Sequence, residues 1–194
     1  MKKVWHWFQE RAESTHAQAW LFAVSFSESS FFLIPPDILL LAMISAGAVR
    51  WVWLATLTSI ASVLGAVFGY LLGLFVFAPV VNPLISLYGL TESFAHVGVL
   101  YEQSVFLSVL TAAFTPIPFK VFVLAGGFFR VSFLPFILAS VVGRSTRFFL
   151  VAWIAKKYGA RVAEHFLEKF KWWTYAILFV IAVVFAVAFF RGTL

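Results

Sequence analysis

The feature that most limits what this chain can fold into is a series of long apolar runs interrupted by proline pairs and isolated charges. The run over residues 17–49 is broken only at Ile34-Pro35-Pro36-Asp37. A second extends from Trp51 to about Phe77, followed by Ala78-Pro79-Val80-Val81-Asn82-Pro83 and a polar segment, 78–103. A third, 104–129, is broken at Thr115-Pro116-Ile117-Pro118-Phe119-Lys120, and a fourth spans 131–155. A basic segment from Lys156 to Lys171 then leads to a last apolar run at 172–190. Of the 194 residues, 63% are hydrophobic and only 11% charged, whereas a soluble domain carries about a quarter charged residues. With 25 Phe and 8 Trp besides, no water-facing surface could absorb the remainder, so the chain is expected to be an all-α integral membrane protein. The absence of Cys excludes disulfide frameworks and thiol chemistry.

Crossing the hydrocarbon core takes roughly 20 helical residues, and neither 38–49, 104–114 nor 121–129 reaches that length. Each broken run is therefore expected to be a re-entrant helical hairpin with its tip inside the membrane, the alternative being one tilted, proline-kinked span. Pro35, Pro36, Pro116 and Pro118 are the structural residues of the two tips, where they remove backbone donors. Non-helical backbone at that depth is tolerated only inside protein or beside water. If both runs return to their side of origin, Lys2, Lys3, Arg11, Arg50, Lys156, Lys157, Arg161, Lys169 and Lys171 share one face, against Arg130 and Arg191 on the other. That asymmetry places the N-terminus in the cytoplasm. Trp5, Trp7, Trp51, Trp53, Trp153, Trp172 and Trp173 gather at the same interface, and residues 1–16 read as an amphipathic segment lying in it. Ala17-Gln18-Ala19 imitates a cleavage site, but Gln9, Glu10, Arg11 and Glu13 stand where a signal peptide needs apolar residues.

The two halves share a grammar: broken hairpin, small residues, Arg, long span. An offset of 80 residues aligns Pro36 with Pro116, Gly47 with Gly127, Arg50 with Arg130, Leu54 with Leu134 and Phe68 with Phe148. One span separates the halves, so the second copy is expected to be inverted, an arrangement in which transporters place their sites where broken helices meet. The expected architecture is an inverted repeat of hairpin 17–49 and span 51–77 with hairpin 104–129 and span 131–155, plus a C-terminal transmembrane helix within 156–194. Ala61, Gly65, Gly69 and Gly73 put a small residue on one face at every fourth position, a helix-packing signal.

Five charges fall inside the apolar runs: Glu28, Asp37, Lys120, Arg144 and Arg147. A central charge costs roughly 2.5–3.5 kcal/mol, so five without compensation would cost about 12–17 kcal/mol. They must pair or line a wet cavity. Their sum is one positive charge, which suits an anionic substrate, and guanidinium groups match phosphate in shape. Lys120, Arg144 and Arg147 are thus candidate phosphate-binding residues, and Glu28 and Asp37 candidate proton carriers. The alternatives are a purely architectural salt-bridge network and, for Asp37, capping of the helix after it. His6, His16, His96 and His165 lack metal-ligand spacing, and Ser27-Glu28-Ser29-Ser30 has no base placed beside it. Neither enzyme activity, metal nor cofactor is expected. The net charge of +6 is spread thinly between apolar spans, which fits topology signals and anionic lipid head groups rather than nucleic acid.

Over residues 20–155 the sequence resembles the DedA family (the VTT or SNARE-associated-Golgi-protein domain), most closely its short YqaA-like branch. The resemblance rests on Glu28 through Pro35-Pro36-Asp37 and Ala46-Gly47, on Phe114-Thr115-Pro116-Ile117-Pro118-Phe119-Lys120 with Ala125-Gly126-Gly127, and on Gly143-Arg144-Ser145-Thr146-Arg147-Phe148. It implies two re-entrant loops facing each other in a bacterial inner-membrane protein. It also implies proton-motive-force-linked movement of lipids such as polyprenyl phosphates or phospholipids, with Glu28 and Asp37 as the functional acids. Lys120 stands where the family's second hairpin Arg is usual, and the first is replaced near Phe114, so Arg144 or Arg147 would supply that charge. Membrane lipids are the expected partners, and a homo-oligomer is compatible with the chain. Two other functions fit the same residues: a structural or assembly factor of the membrane, and a small-solute or ion transporter.

Overall fold

The computed structural model describes residues 16–31, 34–45, 50–115 and 117–158. The amphipathic segment, Ala46-Gly47, Pro116 and the C-terminal helix expected within 156–194 fall wholly or largely outside them. Among the described residues every regular element is helical: α1 (Ala17–Ser30), α2 (Pro36–Ser45), α3 (Trp51–Leu72), a π-helical turn (Gly73–Phe77), α4 (Ala78–Leu87), α5 (Thr91–Gln103), α6 (Val105–Phe114), α7 (Phe119–Phe128) and α8 (Phe133–Tyr158).

Among the described residues, two helices are long and apolar enough to cross a membrane, Trp51–Leu87 and Phe133–Tyr158. A third candidate is α5 with α6, bent by 80° at Ser104. The described residues thus hold two or three such spans by length and composition, as a membrane protein does. The first span runs on to Leu87, past the apolar limit at 77, because a π turn precedes Ala78-Pro79. Proline lacks the N–H that would continue the ladder, and a π turn re-registers the bonds around it. The polar segment is largely helical, as α4 and α5.

Proline sets the breaks. Pro36 occupies the first position of α2, where its missing N–H costs nothing, and Asp37 lies in that helix's first turn. Thr115 precedes a proline and is extended (ψ 173°), which ends α6 and withdraws its carbonyl from the helix. At the far end of α7, Arg130 is left-handed (φ 55°), with its N–H on the Gly127 carbonyl at 3.2 Å and that of Val131 on Gly126 at 3.0 Å. Arg50 instead immediately precedes α3 at φ −92°, so these two residues, aligned at an offset of 80, have different local geometry.

Helix directions follow from the cross-links. Trp53 Nε1 donates to Gln18 Oε1 (3.2 Å), Ser25 Oγ to the Thr58 carbonyl (2.8 Å), and Ser30 Oγ to the Gly65 carbonyl (2.9 Å). Partner numbers rise together, so α1 and α3 run parallel. Along α8, Glu102 accepts from the Ser132 N–H (2.8 Å) and hydroxyl, Gly143 abuts Leu110 and Ala113, and Arg147 reaches Thr115. The arm ending at Thr115 therefore runs parallel to α8. Between α3 and α8 the order reverses: Tyr70 stacks near Phe133 and Phe136, while Leu54 and Ala55 share a core with Val151 and Ala152. These spans are antiparallel.

Small residues permit the close crossings. A Cβ on Gly65 would meet the Phe26 carbonyl of α1, and one on Gly73 the Leu124 carbonyl of α7. The stripe read from the sequence thus seats two helices in succession. Among the described residues, apolar packing forms two clusters, one around Leu21, Leu40, Leu54 and Phe148 and the other around Tyr70, Val109, Phe119 and Phe136. Between them along α3 and α8 lie Thr58, Ser59, Ser62, Ser140, Arg144 and Arg147, a polar layer within the bundle.

Candidate functional site

The polar layer is organised by two arginines on one face of α8, three residues apart and about midway along it. Arg144 Nη2 donates to Glu28 Oε2 of α1 at 2.6 Å, and Arg147 Nη2 to Asp37 Oδ2 of α2 at 2.8 Å. Each pair is nearly dry: relative side-chain exposure is 4% for Arg144 and 16% for Glu28, 14% for Arg147 and 4% for Asp37. Four of the five charges singled out in the sequence are thereby brought together as matched pairs. Lys120, in the first turn of α7, is half-buried and within electrostatic reach of Glu28 and Arg144. Asp37 directs its carboxylate to Arg147 while keeping its favourable place in the first turn of α2.

Further contacts hold each guanidinium differently. Arg144 Nε donates to Ser62 Oγ at 2.6 Å, and Nη2 also approaches Ser29 Oγ at 3.3 Å. The two hydroxyls lie 2.6 Å apart, and Ser29 Oγ approaches Glu28 Oε2 at 3.3 Å. The cation also lies over the Phe119 ring (5.0 Å) and the Phe148 ring (4.6 Å), contacts that strengthen when water is excluded. Arg147 Nη1 donates to the Thr115 carbonyl at 3.1 Å, the group released by the break before Pro116. Its Nε lies 3.5 Å from Asp37 Oδ1, a weaker contact. Arg147 thus ties the first proline break to the second, and Pro118 (φ −62°, ψ 99°) leads from that second break into α7.

Ser62 was not singled out from the sequence, and Ser29, Thr115, Phe119 and Phe148 stood there only within longer motifs, without these contacts to the arginines. A signal existed for the serines. Ser25 and Ser29 on α1, and Thr58 and Ser62 on α3, repeat at four residues, so each helix carries a hydroxyl stripe.

The model of the VTT domain matches residues 34–157, well over half of the chain. The chain belongs to the VTT-domain (DedA) family. The matched VTT region contains Asp37, Ser62, Thr115, Lys120, Arg144 and Arg147, and thus most of the polar layer. Among curated relatives, an uncharacterized protein of Haemophilus influenzae is 36% identical over 182 residues, covering 93% of this chain and 92% of its own length. An uncharacterized protein of Histophilus somni is 31% identical over 177 residues, covering 89% and 92% respectively. No solved structure matches this VTT-domain chain significantly.

Proposed function

We propose that this protein is a transporter, not an enzyme, that carries an anionic lipid such as a polyprenyl phosphate or an anionic phospholipid across a bacterial inner membrane together with a proton. The observation that carries this reading is the pair of buried Arg–carboxylate bridges drawing both proline breaks onto the middle of α8. Buried pairs are a poor way to gain stability, since well-packed apolar residues often do as well or better. Their retention at the breaks fits a site where partners are exchanged. Protonation of Asp37 frees Arg147 for a phosphate group; departure of the phosphate restores the pair and expels the proton. With a singly charged phosphate, the neutral acid and the Arg–phosphate pair carry the same charge as the original bridge, so the exchange adds no net charge to a dry layer; a doubly charged monoester leaves one negative charge for Lys120 to balance. Lys120 supplies the excess positive charge that favours an anion, and Glu28 is the second proton carrier.

The parallel course of α1 with α3 and of α6 with α8, in two antiparallel spans, supports re-entrant hairpins related by an inverted repeat. Gln18 lies level with Trp53, and Glu102 with Ser132, as returning hairpins require. In this topology Gln103 and Lys157, both exposed, lie on opposite faces of the membrane. Single cysteines at these positions, free of background in a chain without Cys, should label with an impermeant maleimide from opposite sides. Labelling of both from one side contradicts the hairpins, because two kinked spans put the positions on the same face.

The function is tested by reconstitution. Fluorescent polyprenyl phosphate and phosphatidylglycerol should cross proteoliposome membranes faster than protein-free ones, with phosphatidylcholine left behind. Movement no faster than in protein-free vesicles refutes transport. The completeness of the bridges favours one second reading, a structural or assembly role in which the charges only hold the helices together.

A further inference from the structure

The chain bends by 80° between α5 and α6, and the course of α6 fixes what that angle means. Since α6 runs alongside α8, one of the two spans, α5 turns across the end of the bundle instead of continuing along it. It lies level with the start of α8, where Glu102 accepts from the Ser132 N–H at 2.8 Å. The 13 residues of α5 extend about 20 Å in that direction.

Around its axis α5 has three sides. Phe94, Gly98 and Tyr101, spaced by four and three, face the protein. The Phe94 ring meets Phe128 and Phe129, a Cβ on Gly98 would press on the Phe129 ring, and the Tyr101 hydroxyl donates to the Phe122 carbonyl at 2.8 Å. Val97 and Leu100, both exposed, form an apolar edge beside that face, with Ser93 between them. Thr91, Glu92, His96, Glu102 and Gln103, all exposed, share the remaining arc, where Ala95 and Val99 are the apolar members. Water on every side would strand the apolar edge, and hydrocarbon on every side would strand the polar arc. One contact with each is met where the hydrocarbon gives way to head groups, at the end of a span. Charge narrows the kind of surface. Residues 78–103 hold Glu92 and Glu102 but neither Lys nor Arg, whereas Lys156 and Lys157 stand at the other end of α8. On α5 nothing attracts anionic lipid, so apolar burial alone acts between helix and membrane.

We propose that α5 is a docking surface for the membrane itself, lying flat in the interface with Val97 and Leu100 in the acyl boundary and the polar arc in water. The head groups it fits are zwitterionic. This docking is independent of what the bundle transports.

The test uses Glu92→Cys, Val97→Cys, Val99→Cys and Leu100→Cys, each alone in a chain that has no Cys. All four positions are exposed, so a nitroxide label at any of them displaces no packing. Collisions of each label with oxygen, which concentrates among acyl chains, and with a water-soluble nickel chelate are read by electron paramagnetic resonance. The full chain is held in liposomes of phosphatidylethanolamine and phosphatidylcholine. Labels at 97 and 100 should favour oxygen, and those at 92 and 99 the chelate, although residue 99 is a valine. Any other pattern overturns the proposal: four labels favouring the chelate put α5 in water, and four favouring oxygen make it half of a broken span. Exchanging phosphatidylcholine for phosphatidylglycerol should leave the labels at 97 and 100 at the same depth or draw them outward. Deeper insertion contradicts a zwitterionic surface.

Discussion

Arg147→Gln is expected to lower the stability of the folded protein by about 3–5 kcal/mol, the usual penalty for stripping one partner from a buried ion pair. The mechanism is direct. Asp37 is 3% exposed, follows directly on Pro35-Pro36 and loses the cation that faces both of its oxygens. Combining Arg147→Gln with Asp37→Asn removes the uncompensated charge and should restore most of the folded yield, read as the melting midpoint of detergent-solubilised protein. Transport should not return with the fold, since the doubly neutral site can neither bind phosphate nor carry a proton. Arg147→Lys keeps the charge and should keep the fold, yet transport should fall because Lys presents a point charge without the planar fork. Transport restored in the doubly neutral variant would leave the pair as architecture alone.

Gly127→Ala should prevent α3 and α7 from closing. A Cβ there would fall on the Tyr70 carbonyl, with the Leu74 amide nitrogen and Tyr70 carbonyl carbon each at 2.8 Å. All three obstacles are backbone atoms, so no rotamer change relieves them. The helices must separate, which also endangers the Tyr70 hydroxyl bond to the Val131 carbonyl (2.8 Å). Overpacking of a rigid contact costs about 1–3 kcal/mol or more, and here it is expected at the upper end. Gly126→Ala is the internal comparison. Its Cβ would meet the Phe136 and Tyr70 rings at 3.5 Å, ordinary contact, and the variant should melt close to wild type. Equal melting of the two variants would show that the backbone crossing at Gly127 is not tight.

Much of this arrangement was legible in the sequence because it depends on local chemistry. Pro35-Pro36 and Pro116-Ile117-Pro118 end helices by removing closely spaced backbone donors, and Asp37 and Thr115 stand beside the breaks. Arg144 and Arg147 share a helix face by spacing alone. The small-residue stripe announced close packing, although one stripe turned out to serve α1 and α7 in succession. The pairing of Glu28 with Arg144 and Asp37 with Arg147 was not legible, since charge balance permits either match and only tertiary register decides. Ser62 was hidden for a related reason. In an apolar helix a Ser or Thr commonly bonds its own preceding turn, as Thr58 and Ser59 do at 2.7 Å, and nothing local distinguishes a hydroxyl that reaches outward. Polarity made 78–103 look like a connection, whereas helices need only satisfied backbone and a tolerable place for proline, which the π turn before Pro79 provides.

The exchange of a carboxylate for an anion on Arg147 is tested most directly by transport of labelled polyprenyl phosphate in proteoliposomes with a pH step of one unit imposed across the membrane. Wild-type protein should move the lipid faster in the direction that carries protons down their gradient, and Asp37→Asn protein should show no response to the step. A response of Asp37→Asn equal to that of the wild type would contradict the proton-coupled exchange.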